Sequence, residues 1–244
     1  MKTMNLIKVL SFFFFFAMIS CTKDDLRISG DGPITTKNLD VPNFSGLDLA
    51  IPCNVVISQG PTQKVSATGH ANIIDRITNR VSGGMWEIEL ERGRYKNYEL
   101  TINVTVPDLN SVHLSGSGRI EVNDFTSQND LEIDISGSGR IDLNTFSGAE
   151  KLYVDISGSG TVTGYDEMIS LKKLNIDISG SGGYKGFPVN SDECKIDVSG
   201  SGTCEVSVRN TLEVSIGGSG VVYYRGNPSI TNHSNRAGSI IDAN

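Results

Sequence analysis

Ser-Gly-Ser-Gly returns at 115–118, 136–139, 157–160, 179–182 and 199–202, and Gly-Gly-Ser-Gly follows at 217–220. The intervals are 21, 21, 22, 20 and 18 residues. A period of about twenty restricts the chain to stacked repeats, because so short a unit cannot bury an apolar face by itself. Each copy is bracketed by alternation of period two. Leu131, Ile133 and Ile135, Leu152, Val154 and Ile156, or Leu174, Ile176 and Ile178 precede the corner; Ile120 and Val122, Ile141 and Leu143, or Val206 and Val208 follow it. Two half-buried strands therefore flank every corner. A propeller blade needs about forty residues, twice what a unit supplies here. The expected fold is all-β: a parallel β-helix with one rung per repeat, like strands stacked about 4.8 Å apart and six marked turns covering roughly 25–30 Å. Glycine at the second and fourth corner places permits backbone angles closed to other residues and lets rungs approach. The serines are expected to hydrogen-bond along the axis and to corner backbone groups.

The same phasing sorts the outward side chains. Two residues before each corner stand His113, Asp134, Asp155, Asp177 and Asp197, with Ser215 in the last copy. A parallel stack makes Asp134, Asp155, Asp177 and Asp197 one column of carboxylates. Three readings stay open: a solvated face that discourages lateral aggregation, a weak cation site, or a ligand groove. Calcium takes six to eight oxygens, more than one Asp per rung and the serines supply without water or backbone. No metal or other cofactor is expected. His70, His113 and His233 stand apart, without the spaced partners of a zinc site or a Ser-His-Asp arrangement.

Of four cysteines, Cys194 falls where other units carry Leu, and Cys204 where they carry Ile or Val. Both read as small core residues, with a Cys194–Cys204 bridge as the alternative; Cys53 leaves an odd number and no disulfide framework.

Residues 1–20 read as an export signal: Lys2 and Lys8, the apolar run Val9–Ile19, then Ser20. That run is too short to span a bilayer. Cys21 behind Ser20 resembles the lipobox of bacterial lipoproteins, which implies cleavage before Cys21 and lipid on its thiol, although Met18 stands where Leu is usual. Cleavage elsewhere, giving a plain secreted protein, is the alternative. Lys23, Asp24 and Asp25 resemble the signal that sends lipoproteins of Bacteroidetes-type bacteria to the outside of the outer membrane. The expected address is thus the outer membrane, cell surface, with the periplasmic face as alternative. Residues 21–37 are assigned to a lipid-anchored tether and 38–240 to the domain. Loss of the signal takes the formal charge from −7 to −9. An acidic surface argues against nucleic acid and against electrostatic contact with anionic lipid, so the membrane is met through the lipid alone.

Ahead of the repeats, Phe44–Leu49 and Val55–Gly60 read as short strands, Ala71–Ile77 as a helical turn, and the alternations at Trp86–Leu90 and Leu100–Val106 as half-buried strands. Trp86 is expected in the core. With these segments in hand, the chain resembles the head GIN domain family of proposed auto-transporter adhesins. Phe44-Ser45-Gly46-Leu47, Val56-Ile57-Ser58-Gln59-Gly60, Asn72-Ile73-Ile74, Val104-Thr105-Val106-Pro107-Asp108-Leu109 and the corners carry the resemblance over about Asn38–Gly226. It implies a right-handed parallel β-helix and no catalytic residues.

The leading expectation is a surface-anchored, non-catalytic binding or adhesion module for a glycan or protein ligand. Tyr153, Tyr165, Tyr184, Tyr223 and Tyr224 are the candidate stacking groups. The alternatives are a polysaccharide-active enzyme, with Arg119 and Arg140 beside the Asp column, and an envelope assembly protein that oligomerises through its terminal rungs.

Overall fold

The computed structural model describes residues 27–126, 130–234 and 238–244. Cys21, Lys23, Asp24, Asp25 and the export signal lie outside the described residues.

Alternation of apolar and polar residues drives the chain into strands that bury every second side chain, and the strands stack in two parallel sheets. The first sheet comprises Met85–Ile88, Gly46–Leu49, Ser111–Leu114, Leu131–Ile135, Lys151–Ile156 and Lys173–Ile178. It continues through the later halves of Gly183–Val198 and Thr203–Ile216 to Ser229–Asn232. The second runs through Leu100–Val106, Asn54–Gln59, Arg119–Asn123, Arg140–Leu143, Thr161–Gly164, the earlier halves of the two long strands, Val221–Arg225 and Ser239–Asp242. The protein is a parallel β-solenoid with one short helical turn, Ala71–Ile74.

Rung order departs from chain order at one place. Gly46–Gln59 forms a rung held between residues 85–106 on one side and 111–123 on the other. The segment ahead of the repeats is therefore built into the stack, and the Ser115 corner rests on Ala50–Cys53, which has no glycine.

One end is closed by antiparallel strands. Lys64–His70 pairs with Leu100–Val106 and, on its other edge, with Ile34–Asn38, while Arg27–Ser29 pairs in parallel with Arg94–Lys96. The tether assigned to 21–37 is corrected accordingly. Ile34–Asn38 satisfies the outer edge of Lys64–His70, so residues from Arg27 onward belong to the fold.

The core is continuous along the axis, with Leu131, Ile133, Ile135, Leu152, Ile156, Leu174 and Ile178 all fully buried. Phe125 and Phe146, paired by a parallel bridge, stack at 5.6 Å between centroids beyond the second sheet. Trp86 is buried as expected and donates its indole N–H to the Thr78 carbonyl at 3.1 Å. Cys53, Cys194 and Cys204 are buried free thiols. Burial pushes Cys53 and Cys204 up to about 12, and Cys194 well above its ordinary value, so all three stay protonated and unreactive.

The corner glycines are required by proximity. A Cβ on Gly137 would lie 1.9 Å from the Gly116 carbonyl oxygen, and Gly158, Gly180 and Gly200 repeat this at 2.0 Å, each against the preceding rung. Their φ angles are not positive, so special backbone freedom, half of the expectation for these glycines, is not the reason. The serine expectation needs a similar correction. Corner bonds run backbone to backbone, as from Ser159 N to the Gly137 oxygen at 3.1 Å and from Ser181 N to the Gly158 oxygen at 3.1 Å. Among the described residues the one corner hydroxyl with a hydrogen-bonded partner is Ser115, which donates to Asp48 Oδ1 at 2.9 Å.

Candidate ligand-binding face

Strand register fixes what lies above what on the outer surface of the first sheet. Asp134 pairs with Asp155, Asp155 with Asp177 and Asp177 with Asp197, so the four carboxylates expected from the sequence stand in one column. The column is longer than expected. His113 pairs with both Asp134 and Asp48, and Asp48 with Glu87, while Ser215 follows Asp197 at the other end. Sequence phasing missed Asp48 because its rung lacks the Ser-Gly-Ser-Gly marker; the signal available was Leu47-Asp48-Leu49, an outward acid between two inward leucines.

A second outward column lies one alternation away: Ser111, Glu132, Tyr153, Asn175, Lys195 and Glu213. Beside it, Lys151, Lys173 and Glu193 form a third. The lysines of this face are engaged by other acids: Lys195 with Glu213 at 3.3 Å, Lys173 with Glu193 at 3.4 Å and Lys151 with Asp130 at 3.0 Å. None of Asp134, Asp155, Asp177 and Asp197 takes part in an ion pair among the described residues. The column is thus an uncompensated row of charges at the spacing of hydrogen-bonded strands.

Its electrostatics follow. Asp155 and Asp177 hold their protons above the ordinary carboxylate range. Partial desolvation is the larger cause, then repulsion from Asp134 at Asp155, and from Asp155 and Asp197 at Asp177. A carboxyl that binds its proton more tightly in the folded chain than in the unfolded one favours folding below the unfolded value of 3.8, and that contribution is lost as pH rises through the raised folded value. The double variant Asp155→Asn, Asp177→Asn is therefore expected to melt above the parent at neutral pH. The gap should shrink on acidification below about pH 4, and also on adding salt to about 1 M, where the Debye length falls to about 3 Å. Thermal melts across that pH and salt range check it; a gap constant with both would remove charge repulsion as the cause.

Between the first two columns runs an open groove of about 350 Å³. Glu132, Tyr153 and Asn175 wall one side, Asp155, Asp177 and Asp197 the other, and Lys195 lies at one end. Tyr153 is 39% exposed within it. The other candidate tyrosines are elsewhere. Tyr184 is fully buried, which corrects its place among the stacking groups: it registers with Val162 and Cys204, an inward position. Tyr165 is exposed just past Thr161–Gly164, and Tyr223 and Tyr224 lie in Val221–Arg225. A second cleft, of about 470 Å³, lies where Tyr98–Thr101 meets Cys53, Asn54 and Arg119.

Arg119 and Arg140, placed beside the Asp column by the enzymatic reading, are on the second sheet, across the corner from it. They register with each other and converge on Asp142, which is fully buried. Arg119 Nε donates to Asp142 Oδ2 at 2.7 Å, Arg140 Nε stands 3.7 Å from Oδ1, and Arg119 also pairs with Glu121 at 3.3 Å. The reason is geometric: the four-residue corner turns the chain onto a different face, so neighbours in sequence across it point apart. The acid, base and cation cluster that a polysaccharide-cleaving site requires is not formed by these residues. Two of the histidines hold backbone or local polar groups, His70 Nδ1 against the Gly32 carbonyl and His113 Nε2 against Ser111 Oγ, both at 2.9 Å. Among the described residues no group of three His, Cys, Asp or Glu is arranged to hold a metal ion.

The sequence matches, over residues 43–228, the family described as "Putative auto-transporter adhesin, head GIN domain". Solved structures with the same fold include a "putative adhesin" from Bacteroides fragilis, 19% identical with a TM-score of 0.79, covering 88% of this chain and 99% of that one. A "putative adhesin" from Parabacteroides merdae is 15% identical, TM-score 0.69, covering 89% and 99%. A "putative lipid binding protein" from Parabacteroides distasonis is 21% identical, TM-score 0.70, covering 89% and 100%. No curated protein matches the chain.

Proposed function

The chain belongs to the head GIN domain family, and from that premise we propose that it is a non-catalytic binding module, anchored through lipid on Cys21 to the outer membrane and displayed on the cell surface. The first sheet's outer face is its contact surface. The observation that carries this reading is the row Asp134, Asp155, Asp177 and Asp197, held in register on a rigid sheet with no cation spent on it. Buried or paired charges serve structure, whereas exposed unpaired ones at fixed spacing cost stability and are ready for a partner. The Lys23, Asp24 and Asp25 segment after Cys21 supports display on the outside.

Protease treatment of intact cells tests the address. Loss of the domain from unbroken cells is expected for the parent, and Cys21→Ala should shift the protein out of the membrane fraction. Cell adhesion tests the surface: Asp155→Lys with Asp177→Lys should abolish attachment while the fold, followed by circular dichroism, persists. Full protection from protease, or attachment unchanged by charge reversal, would remove the corresponding half of the reading.

A further inference from the structure

We propose that the groove around Tyr153 takes an extended, uncharged glycan chain laid along the solenoid axis; this names the ligand class of the face proposed above and rests on that reading. Three features select the class. Tyr153 presents an exposed aromatic ring at mid-groove, the platform against which the apolar face of a sugar ring packs. Its neighbours Asp155, Asp177 and Asn175 offer planar acceptors, and Asn175 also a donor, suited to the paired hydroxyls of a pyranose. The carboxylate wall repeats at every rung, about 4.8 Å, close to the length one hexose adds to an extended chain, so successive sugars meet the same acceptor on that side, while the facing wall of Glu132, Tyr153, Asn175 and Lys195 differs from rung to rung.

Charge and spacing set aside the neighbouring classes. Uronate and sulfated glycans bring anions against four uncompensated carboxylates, with Lys195 already engaged by Glu213 at 3.3 Å. A basic peptide satisfies the charge, but side chains on one face of an extended strand recur at about 6.6 Å, out of step with the rungs. The groove is open and shallow, a shape that accepts a chain passing through in both directions.

The experiment is a glycan array carrying neutral hexose oligosaccharides, uronate and sulfated oligosaccharides and an oligolysine control, read with purified full-length protein, then calorimetry with the neutral oligosaccharide that gives the strongest signal. The expected result is signal on the neutral set alone. Tyr153→Ala should weaken binding by about two- to tenfold, since aromatic stacking is worth about 0.5–1.5 kcal/mol and each 1.4 kcal/mol is tenfold in affinity. Tyr153→Phe, which keeps the ring, should bind nearly as the parent does, and Asp197→Asn, two rungs from Tyr153 in the groove, should weaken binding less than Tyr153→Ala. Matching melting temperatures exclude unfolding as the cause. A blank neutral set, a preference for oligolysine or acidic glycans, or binding indifferent to Tyr153→Ala overturns the proposal. If the array is blank while the charge-reversed variant still loses cell attachment, the contact surface stands and only the ligand class falls.

Discussion

Gly158→Ala is expected to destabilise the protein by about 3 kcal/mol or more. The added Cβ would lie 2.0 Å from the Gly137 carbonyl oxygen and 2.6 Å from that of Ser136. Both acceptors belong to backbone, and the Gly137 oxygen already receives the N–H of Ser159 at 3.1 Å. Relief therefore requires prising two rungs apart, which breaks the ladder on both sides of the corner; overpacking against movable side chains alone costs about 1–3 kcal/mol. Ser159→Ala, one residue on, removes an exposed hydroxyl and should change stability by less than about 0.5 kcal/mol. Chemical denaturation of the pair measures the contrast. Equal midpoints would show that the corners yield, and that the glycines are there for some other reason.

Ile156→Ala should cost about 2–5 kcal/mol, the ordinary range for emptying a sealed core site. Ile156 is fully buried, pairs with Ile135 on one side and Ile178 on the other, and its Cγ2 would lie 2.5 Å from a Cβ on Gly182, just behind the Gly160 carbonyl oxygen at 2.4 Å. It thus links three successive rungs. In a stack whose stability is a sum of rung and neighbour terms, a lesion in the middle weakens two interfaces, whereas one at an end merely frays it. Ile240→Ala, at a half-buried position in the last rung, is expected to cost less than half as much. Denaturation monitored by hydrogen exchange would show the difference as early opening on both sides of Ile156. Similar costs at the two sites would mean that the solenoid unfolds as a single block.

How far the sequence discloses this structure depends on whether a residue's neighbours are set by the repeat. Asp134 to Asp197 could be stacked on paper because each stands two places before an identical corner, and period-two alternation made the inward teeth equally plain. Tyr184 was legible by the same rule, since it follows its corner as Val162 and Cys204 follow theirs. Asp48 and Glu87 were not, because Ala50–Cys53 turns without the marker and the rungs on either side of it are out of chain order. The antiparallel closure was hidden for a related reason: Lys64–His70 finds partners 28–36 residues before it and 31–41 residues after it, a pairing no local pattern encodes. The Arg119–Asp142 pair needed knowledge of how sharply the corner turns, which depends on backbone contact between glycines and leaves no trace in hydrophobic periodicity. The groove itself belongs to no single repeat. It exists because Tyr153, Asn175 and Lys195, unlike one another, occupy equivalent places on consecutive turns.

The glycine-to-carbonyl contacts have a bearing on how such a protein can diversify. Because the advance per turn is dictated by main-chain atoms that no side chain can wedge apart, outward positions can be rewritten one at a time without altering the ruling on which they are inscribed. Exchanging Tyr153 or Asn175 would then change the character of the outer face while leaving the melting behaviour almost untouched, so that related chains can keep one chassis and vary its inscription.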